Sequence, residues 1–526
     1  MSSSVALNRP EPWCPKTGAV SISRSQVGVE QIWGSRHSSV TYILCTAQRE
    51  TVMALSWTVS VTSHRDGFPD ETAAIGNFSR PLDGATPADF GLSLNEAQGM
   101  IGNLQRHITQ SQIRAYDVRY RRCPHCGTYR QIKDWRKRTI QSALGNVVVR
   151  VPRVRSCMCL PEPLDQEGEI LPYRESECCI ERLLPGRMTP ELVYLCAKHG
   201  ASHSYRSAAR AVQDLCGLRK LSHSTVRRKV IVTGDQIEDR QFEVGWFAGS
   251  RKHDRAEHLH LAIDSTVISA TPYEEVSKFE VIAGRIERDG QMARRFVCAL
   301  PRRVLASTLV AAALEQSGWG TSTQVDVVND GAKGMRSLVT AIAPRVAAPI
   351  LDWFHIGMKL QAIRTPLEAI TIDVRMHRPA FLDLCVRLWK KIRTSLWHGK
   401  GEKAIALAQM LAASIEDEHP HLQGFYAASA ATAHGATKRL AEFLSNNRTI
   451  LIDYHQTRRD GRRISTAMAE SVMNHLINRR LSKRQQMRWS MKGAHCVLQV
   501  RVEMLDGRLE RHFREHFSHF RSPERM

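Results

Sequence analysis

The chain has 526 residues, enough for several domains that each bury a core. Its hydrophobic share of 42% and charged share of 24% are ordinary for a globular protein, and no stretch nears the roughly 18 consecutive apolar residues of a membrane helix. A formal net charge of +22 and a pI near 9.7 point to a polyanionic partner, nucleic acid before a merely solubilising surface.

Met1-Ser2-Ser3-Ser4 carries no basic stretch followed by an apolar one, so no secretory signal is read and a cytoplasmic, nucleoid-associated location is expected. Thirteen cysteines is an odd number, and in such a compartment closely spaced ones read as metal ligands rather than disulfides. Residues 1–52 show no periodicity; they are either a disordered tail or an extension upstream of a native start at Met53. Residues 53–120 are expected to make an N-terminal helical region. Within it, Pro, Gly, Asp and Ala make 70–90 a linker or loops, and Leu94, Ala97, Ile101, Leu104 and Ile108 recur at helical spacing.

Residues 121–165 read as a zinc ribbon. Cys123-Pro124-His125-Cys126-Gly127 is a knuckle, and Gly127 lets the backbone turn so that amides face the sulfurs. Cys157 and Cys159 follow across the alternating run Asn146–Val154, so a β-hairpin brings four thiolates together for tetrahedral Zn²⁺. The second pair is Cys-x-Cys, and His125, Cys178, Cys179 and His199 stand by as substitutes.

Residues 185–240 suggest a helix-turn-helix-like region. Thr189 and Pro190 start one helix, a second runs from Tyr205 to Leu215, and Ser222 caps a third that is basic. In a helix-turn-helix the last helix enters the major groove, which makes Ser224, Thr225, Arg227 and Arg228 candidate DNA contacts; the alternative is a helical linker with a solvated basic face.

Residues 255–360 alternate strand and helix signals as an α/β domain would. The apolar run Leu259–Ile263 ends in Asp264, and Val325–Val328 is followed by Asn329 and Asp330. Further strands are read at Lys278–Ala283 and Arg294–Leu300. Two acids at neighbouring strand ends repel each other and call for metal cations, magnesium first and manganese as a substitute. Residues 361–460 are an all-helical insertion, 461–510 return to the core, and 511–526 are a tail. The third acid is open on pattern alone, among Glu470, Asp352, Asp453, Asp460 and Glu416. Glu470 gains from its setting: Asn474 and Asn478 share its helical stripe, and residues 458–488 hold nine Lys or Arg against two acids. Arg479, Arg480, Lys483, Arg484 and Arg488 are therefore read as phosphate contacts, with Trp489 stacking on a base or packing inside.

Leu351-Asp352-Trp353-Phe354-His355, Asn329-Asp330-Gly331-Ala332 and Ala469-Glu470-Ser471, followed by Arg479-Arg480, Lys483–Trp489 and Gly493-Ala494-His495, resemble a bacterial insertion-sequence transposase of the DDE class, most like the Kra-four group. The resemblance spans roughly residues 90–510. It implies an RNase H-like α/β core, a mixed sheet flanked by helices with a helical insertion before the glutamate, and an N-terminal region that binds the element's terminal inverted repeats. It also implies a triad of Asp264, Asp330 and Glu470, with Asp352 and His355 supporting the geometry. The activity implied is metal-dependent strand cleavage and transfer by a homo-oligomer on paired ends. The alternatives are a transposase-derived DNA-binding protein without catalysis and a stand-alone RNase H-like nuclease.

Overall fold

The computed structural model describes residues 54–521 apart from 66–67, 83–84, 124–125, 158, 160–175, 219, 248–254, 300–305, 343–347, 378, 467–470 and 483–486. The unpatterned extension, the start at Met53, His125, Glu470, Lys483 and Arg484 lie outside the described residues.

β1 (Ala54–Arg65) and β2 (Phe68–Pro81) form an antiparallel hairpin. This corrects two expectations: the helical region read over 53–120 is strand at Ala54–Arg65 and Phe68–Pro81 and helical from Leu94, and the linker is strand over 70–81, although Pro69 and Gly76 look like loop residues. Contacts with α1 (Leu94–Tyr120) explain it. Ile75 and Phe78 are buried, the Asn103 side chain donates to Ile75 O (3.0 Å), and Arg80 donates to Glu96 (2.9 Å). The strands β3 (Ile132–Ser142), β4 (Gly145–Arg155) and β5 (Ser176–Cys178) make a three-stranded sheet, closed by the short α2 (Cys179–Leu183). Val147, Val149 and Val151 alternate inward and pack with Ile140 and Ile113 of α1, so helix and ribbon share one core.

Three helices follow, α3 (Pro190–Ser202), α4 (Tyr205–Cys216) and α5 (His223–Phe247). Ser222 accepts from Thr225 N (3.1 Å), which satisfies a free amide at the start of α5.

The central sheet contains β6 (His258–Ser269), β7 (Lys278–Arg288), β8 (Gln291–Ala299), β9 (Gln324–Asn329) and β10 (Ala348–Leu351), with α6 (Ala306–Gln316) and α7 (Lys333–Ala341) between the later strands. Its order is β10-β9-β6-β7-β8. β6, β9 and β10 are parallel, and β7 and β8 run antiparallel to their neighbours. Beyond β10 come α8 (Trp353–His377), α9 (Pro379–Trp397), α10 (Gly401–Glu418), α11 (Gly424–Asn446) and α12 (Tyr454–Arg459). The chain then closes with α13 (Met473–Ser482), wound as a π-helix, α14 (Met491–Leu505) and α15 (Leu509–His516). None of the described helices is long and apolar enough to cross a membrane.

Alternation along the strands divides the sheet into two faces. Leu259, Leu261 and Ile263 face α6 and α7 together with Val325, Val327, Met335 and Leu338. On the other face two separate cores form. Ala283, Val281 and Val297 pack with α3–α5, α13 and α14, while Val328 and Ile350 pack with α8–α11. His258, His260 and Asp264 share the parity of this divided face, so β6 carries a polar stripe between two apolar clusters. The long α5 belongs to the first of these cores. A side chain on Gly234 would meet the backbone of Cys496 at 2.4 Å, so α5 and α14 approach as closely as a glycine permits.

Candidate functional site

Asp264 is not at a strand end. β6 runs on to Ser269, because Thr266, Val267 and Ile268 continue to pair with β7. What ends near Asp264 is the parallel ladder: the last β6–β9 pair is Ala262 with Val328. Two residues beyond that pair, on matching parity, lie Asp264 and Asp330. The last β9–β10 pair is Asn329 with Leu351, and the next residues are Asp330 and Asp352. Three acids therefore line the rim where three adjacent parallel strands part. Gly331 makes the turn after Asp330 with φ +75°, and a side chain there would strike Leu351 and Asn447 at 2.6–2.7 Å. The Asp330 carboxylate accepts from Ala332 N (2.9 Å) and that of Asp264 from Ser265 N (2.7 Å).

The three acids have different surroundings. Asp352 is fully buried, and its oxygens accept from His355 Nδ1 (2.6 Å), Phe354 N (2.8 Å), Thr466 N (3.0 Å) and the Thr466 hydroxyl. Burial opposes its charge, and these hydrogen bonds outweigh burial and hold its carboxyl below the usual range. With its oxygens so engaged, Asp352 has little lone-pair capacity left for an ion, and one oxygen holds the His355 ring. The bond to Asp352 holds the His355 imidazole protonated above its ordinary range, and Asp264 and Asp330 add to this. Asp264 shows the opposite shift. Burial raises its pKa, and Asp330 and Asp352 push it further. Among the described residues neither Asp264 nor Asp330 has an ion pair with lysine or arginine. Two carboxylates at a half-buried rim are hard oxygen donors, the ligand type that ions such as Mg²⁺ take. Of the other acids read as options, Asp453 caps α12, accepting from Gln456 N (2.9 Å), Asp460 accepts from the Gln456 side chain (2.7 Å), and Glu416 faces His434 and Lys438.

The ribbon brings its four cysteines together. Cys123 and Cys159 Sγ are 3.5 Å apart, Cys126 and Cys157 Sγ 3.4 Å, and all four sulfurs lie within 4.8 Å of one another. Tetrahedral Zn–S bonds of about 2.3 Å put sulfurs about 3.8 Å apart, so the cluster could hold a zinc-sized ion. Gly127 adopts φ +71° and donates its N–H to Cys123 O (2.9 Å), closing the knuckle. Contacts with Thr128, then with Cys159 and Cys157, pull the Cys126 thiol down to about 6, toward the thiolate a metal needs. Cys178, a candidate substitute, is instead buried in the ribbon core.

The residues read as DNA contacts divide. Ser224, Arg227 and Arg228 are exposed on the first turns of α5, with Thr225 half-buried beside them. Arg479 and Arg488 are also exposed. Arg480 and Trp489 require correction, because both point inward. Arg480 is fully buried, donates to Gly200 O (3.2 Å), and lies against Tyr205 and Trp489 at 5.0 and 4.8 Å. Burial pushes its pKa down to about 10. Trp489 is buried and pairs with Ala270 at the edge of β6. These two side chains dock the C-terminal helices onto α3 and α4.

A further polar cluster was not read from the sequence. The Asp326 carboxylate, fully buried, meets His258 Nε2 at 3.0 Å, His260 Nδ1 at 3.6 Å and Arg462 Nε at 2.8 Å. The signals were there: His258-Leu259-His260 puts two imidazoles on one face of a strand, and Asp326 interrupts a β-branched run.

No protein-family model and no curated protein matches the chain. Among solved structures, the Drosophila P element transposase strand transfer complex is similar over 63% of this chain and 96% of that one, at 11% identity and a TM-score of 0.29. A likeness that distant does not bear on function.

Proposed function

We propose that the chain is a DDE-class transposase, related to the Kra-four insertion sequences, that binds the terminal inverted repeats of its element and cleaves and joins DNA strands. The observation that carries this reading is the placing of Asp264 and Asp330 two residues beyond the last pair of the β6–β9 ladder, with no arginine or lysine ion pair among the described residues, in a chain of net charge +22. The strand order, with two antiparallel strands beside three parallel ones, an acid within the first strand where its parallel pairing stops and another just after the fourth, supports an RNase H-like core.

In this reading Asp264 and Asp330 hold Mg²⁺, or Mn²⁺ as a substitute, and Glu470 completes the set. Bound ions of this kind activate a water or a 3′-hydroxyl and stabilise the leaving oxygen. Water adds to the phosphodiester at the element end, and the strand leaves as a free 3′-hydroxyl. That hydroxyl then attacks a target phosphodiester and displaces a new 3′-oxygen. The protein's own part is positioning. Asp352 keeps His355 cationic beside the acids, where it offers positive charge to the scissile phosphate. Thr466 is fixed to Asp352, and Glu470 follows it by four residues in the sequence. Ser224, Thr225, Arg227, Arg228, Arg479, Lys483, Arg484 and Arg488 supply DNA contacts, and zinc in the cysteine cluster braces the ribbon. Paired element ends call for a homo-oligomer.

The test is cleavage and joining with Mg²⁺ on DNA that carries the flanking element ends, for the wild type, Asp330→Asn and Glu470→Gln. Both products in the wild type and neither in the variants, with DNA binding retained, is the expected result. Cleavage by Asp330→Asn would remove that residue from the site. Cleavage without joining would mark a stand-alone nuclease, and binding alone a transposase-derived DNA-binding protein.

A further inference from the structure

The second polar cluster on the divided face has the geometry of a metal site. His258 and His260 lie two apart on β6 and so project to the same side, and Asp326 is the register partner of His260 on the parallel neighbour β9. His258 Nε2, His260 Nδ1 and a carboxylate oxygen of Asp326 all lie within 4.8 Å of one another. The two nitrogen-to-oxygen separations are 3.0 and 3.6 Å. Ligands held at about 2.0–2.1 Å in a tetrahedron stand about 3.3 Å apart, midway between these values.

Both ring nitrogens are shielded from solvent, and neither makes a hydrogen bond of acceptable geometry. Leaving two buried polar nitrogens aimed at one carboxylate without such bonds is costly, and a cation between them would engage both. Arg462 grips Asp326 through Nε (2.8 Å) and Nη2 (2.5 Å). A carboxylate offers about four lone-pair sites, so this fork leaves room for a ligand bond and orients the group, as outer-shell partners of metal ligands do. His258 is 27% exposed, which gives an ion a way in.

We propose that His258, His260 and Asp326 form a binding site for a borderline divalent transition-metal ion, Zn²⁺ in the first instance, distinct from the acid rim and from the cysteine cluster. Two imidazoles and one carboxylate favour zinc-like ions over Mg²⁺. The ion fastens β6 to β9 upstream of the rim. His260 precedes Asp264 by four strand residues, roughly 13 Å at about 3.3 Å per residue. Arg462 ties the segment leading to Thr466 to the same carboxylate.

The test uses the full chain, stripped by chelator, reloaded with Zn²⁺ and freed of excess metal. Elemental analysis of the wild type is compared with the doubles His258→Gln/His260→Gln and Cys123→Ser/Cys126→Ser. The expected result is loss of one zinc equivalent in the histidine variant, and retention of one in the cysteine variant. X-ray absorption of that retained zinc should show a nitrogen and oxygen shell without sulfur. Unchanged zinc in the histidine variant, or none in a folded cysteine variant, overturns the proposal. Absorption by the unmutated protein covers the case of a variant that fails to fold, since a sulfur-only shell there also overturns it. Strand transfer is not read in any arm, so the outcome is independent of the proposed activity.

Discussion

β6 and β9 place carboxylates at two levels of one sheet face, one buried at Asp326 and two half-buried at Asp264 and Asp330, and the two levels are built on opposite principles. Upstream, Asp326 is matched by a guanidinium fork and two imidazoles, all supplied by the chain. Downstream, burial raises the pKa of Asp264, and the charge of Asp330 adds to the rise. A buried acid is therefore ambiguous until its counter-charge is identified. Where arginine supplies it, the acid is fixed in place with lone pairs to spare, as the zinc site proposed at Asp326 requires; where none of the described residues does, as at Asp264 and Asp330, the charge is left unmatched.

The largest effect should come from the downstream level. Asp264→Asn should lower strand cleavage on the order of 10³-fold or more while leaving DNA affinity intact, read by paired cleavage and filter-binding assays. A comparable fall in Asp326→Asn with unchanged stability would break the contrast. Next is Arg462→Met, which leaves Asp326 buried and short of its cation. Denaturant unfolding should show a loss of about 3 kcal/mol, and adding Asp326→Leu should recover part of it.

A smaller effect concerns thermal stability. Because Asp264 has a raised pKa, the native state pays for its charge above that pKa and is relieved as pH falls. Asp264→Asn should thus raise the metal-free Tm at neutral pH by a few degrees and abolish the further rise that Mg²⁺ gives the wild type. The Asp352–His355 pair behaves in the opposite way. His355 is raised, so its contribution is complete below its ordinary 6.5 and fades as pH climbs through the raised value. Asp352 is lowered, so its part is present above 3.8 and is lost only in stronger acid. The stability gap between the wild type and His355→Gln should therefore be widest between these limits and narrow on the alkaline side, as pH-resolved melts would show. The smallest change is in salt dependence. Arg227→Ala/Arg228→Ala should reduce the slope of log affinity against log salt by about 2, whereas Arg480→Met should destabilise the fold and leave the slope alone.

Much of this arrangement was legible in the sequence, and the failures have physical causes. That Asp264 and Asp330 lie near the ends of neighbouring strand pairings followed from acids closing apolar runs, although Asp264 sits inside its strand, because pattern cannot tell where a ladder stops while its strand continues. The four cysteines followed from spacing across an alternating hairpin. Arg480 was misread because local basic density was allowed to outweigh periodicity. It falls in the inward stripe Met473, Leu476, Ile477, Arg480, Leu481, and that spacing was the better guide. The strand at 68–81 was missed because Pro69 and Gly76 imitate a loop, and its partner surface on α1 comes later in the chain. The Asp326 cluster needs four residues from three distant segments, which no local window contains.

The hydrogen bond from Trp353 N to Ile464 O (3.0 Å) has an architectural consequence. It joins the first residue of the helical excursion to its return, so more than a hundred residues leave the sheet and come back at neighbouring backbone positions. Such a closed excursion is a replaceable cassette. Its length can drift at little entropic cost as long as its two ends stay, because the first turn carries His355 and the return carries Arg462, and as long as Val328 and Ile350 remain covered.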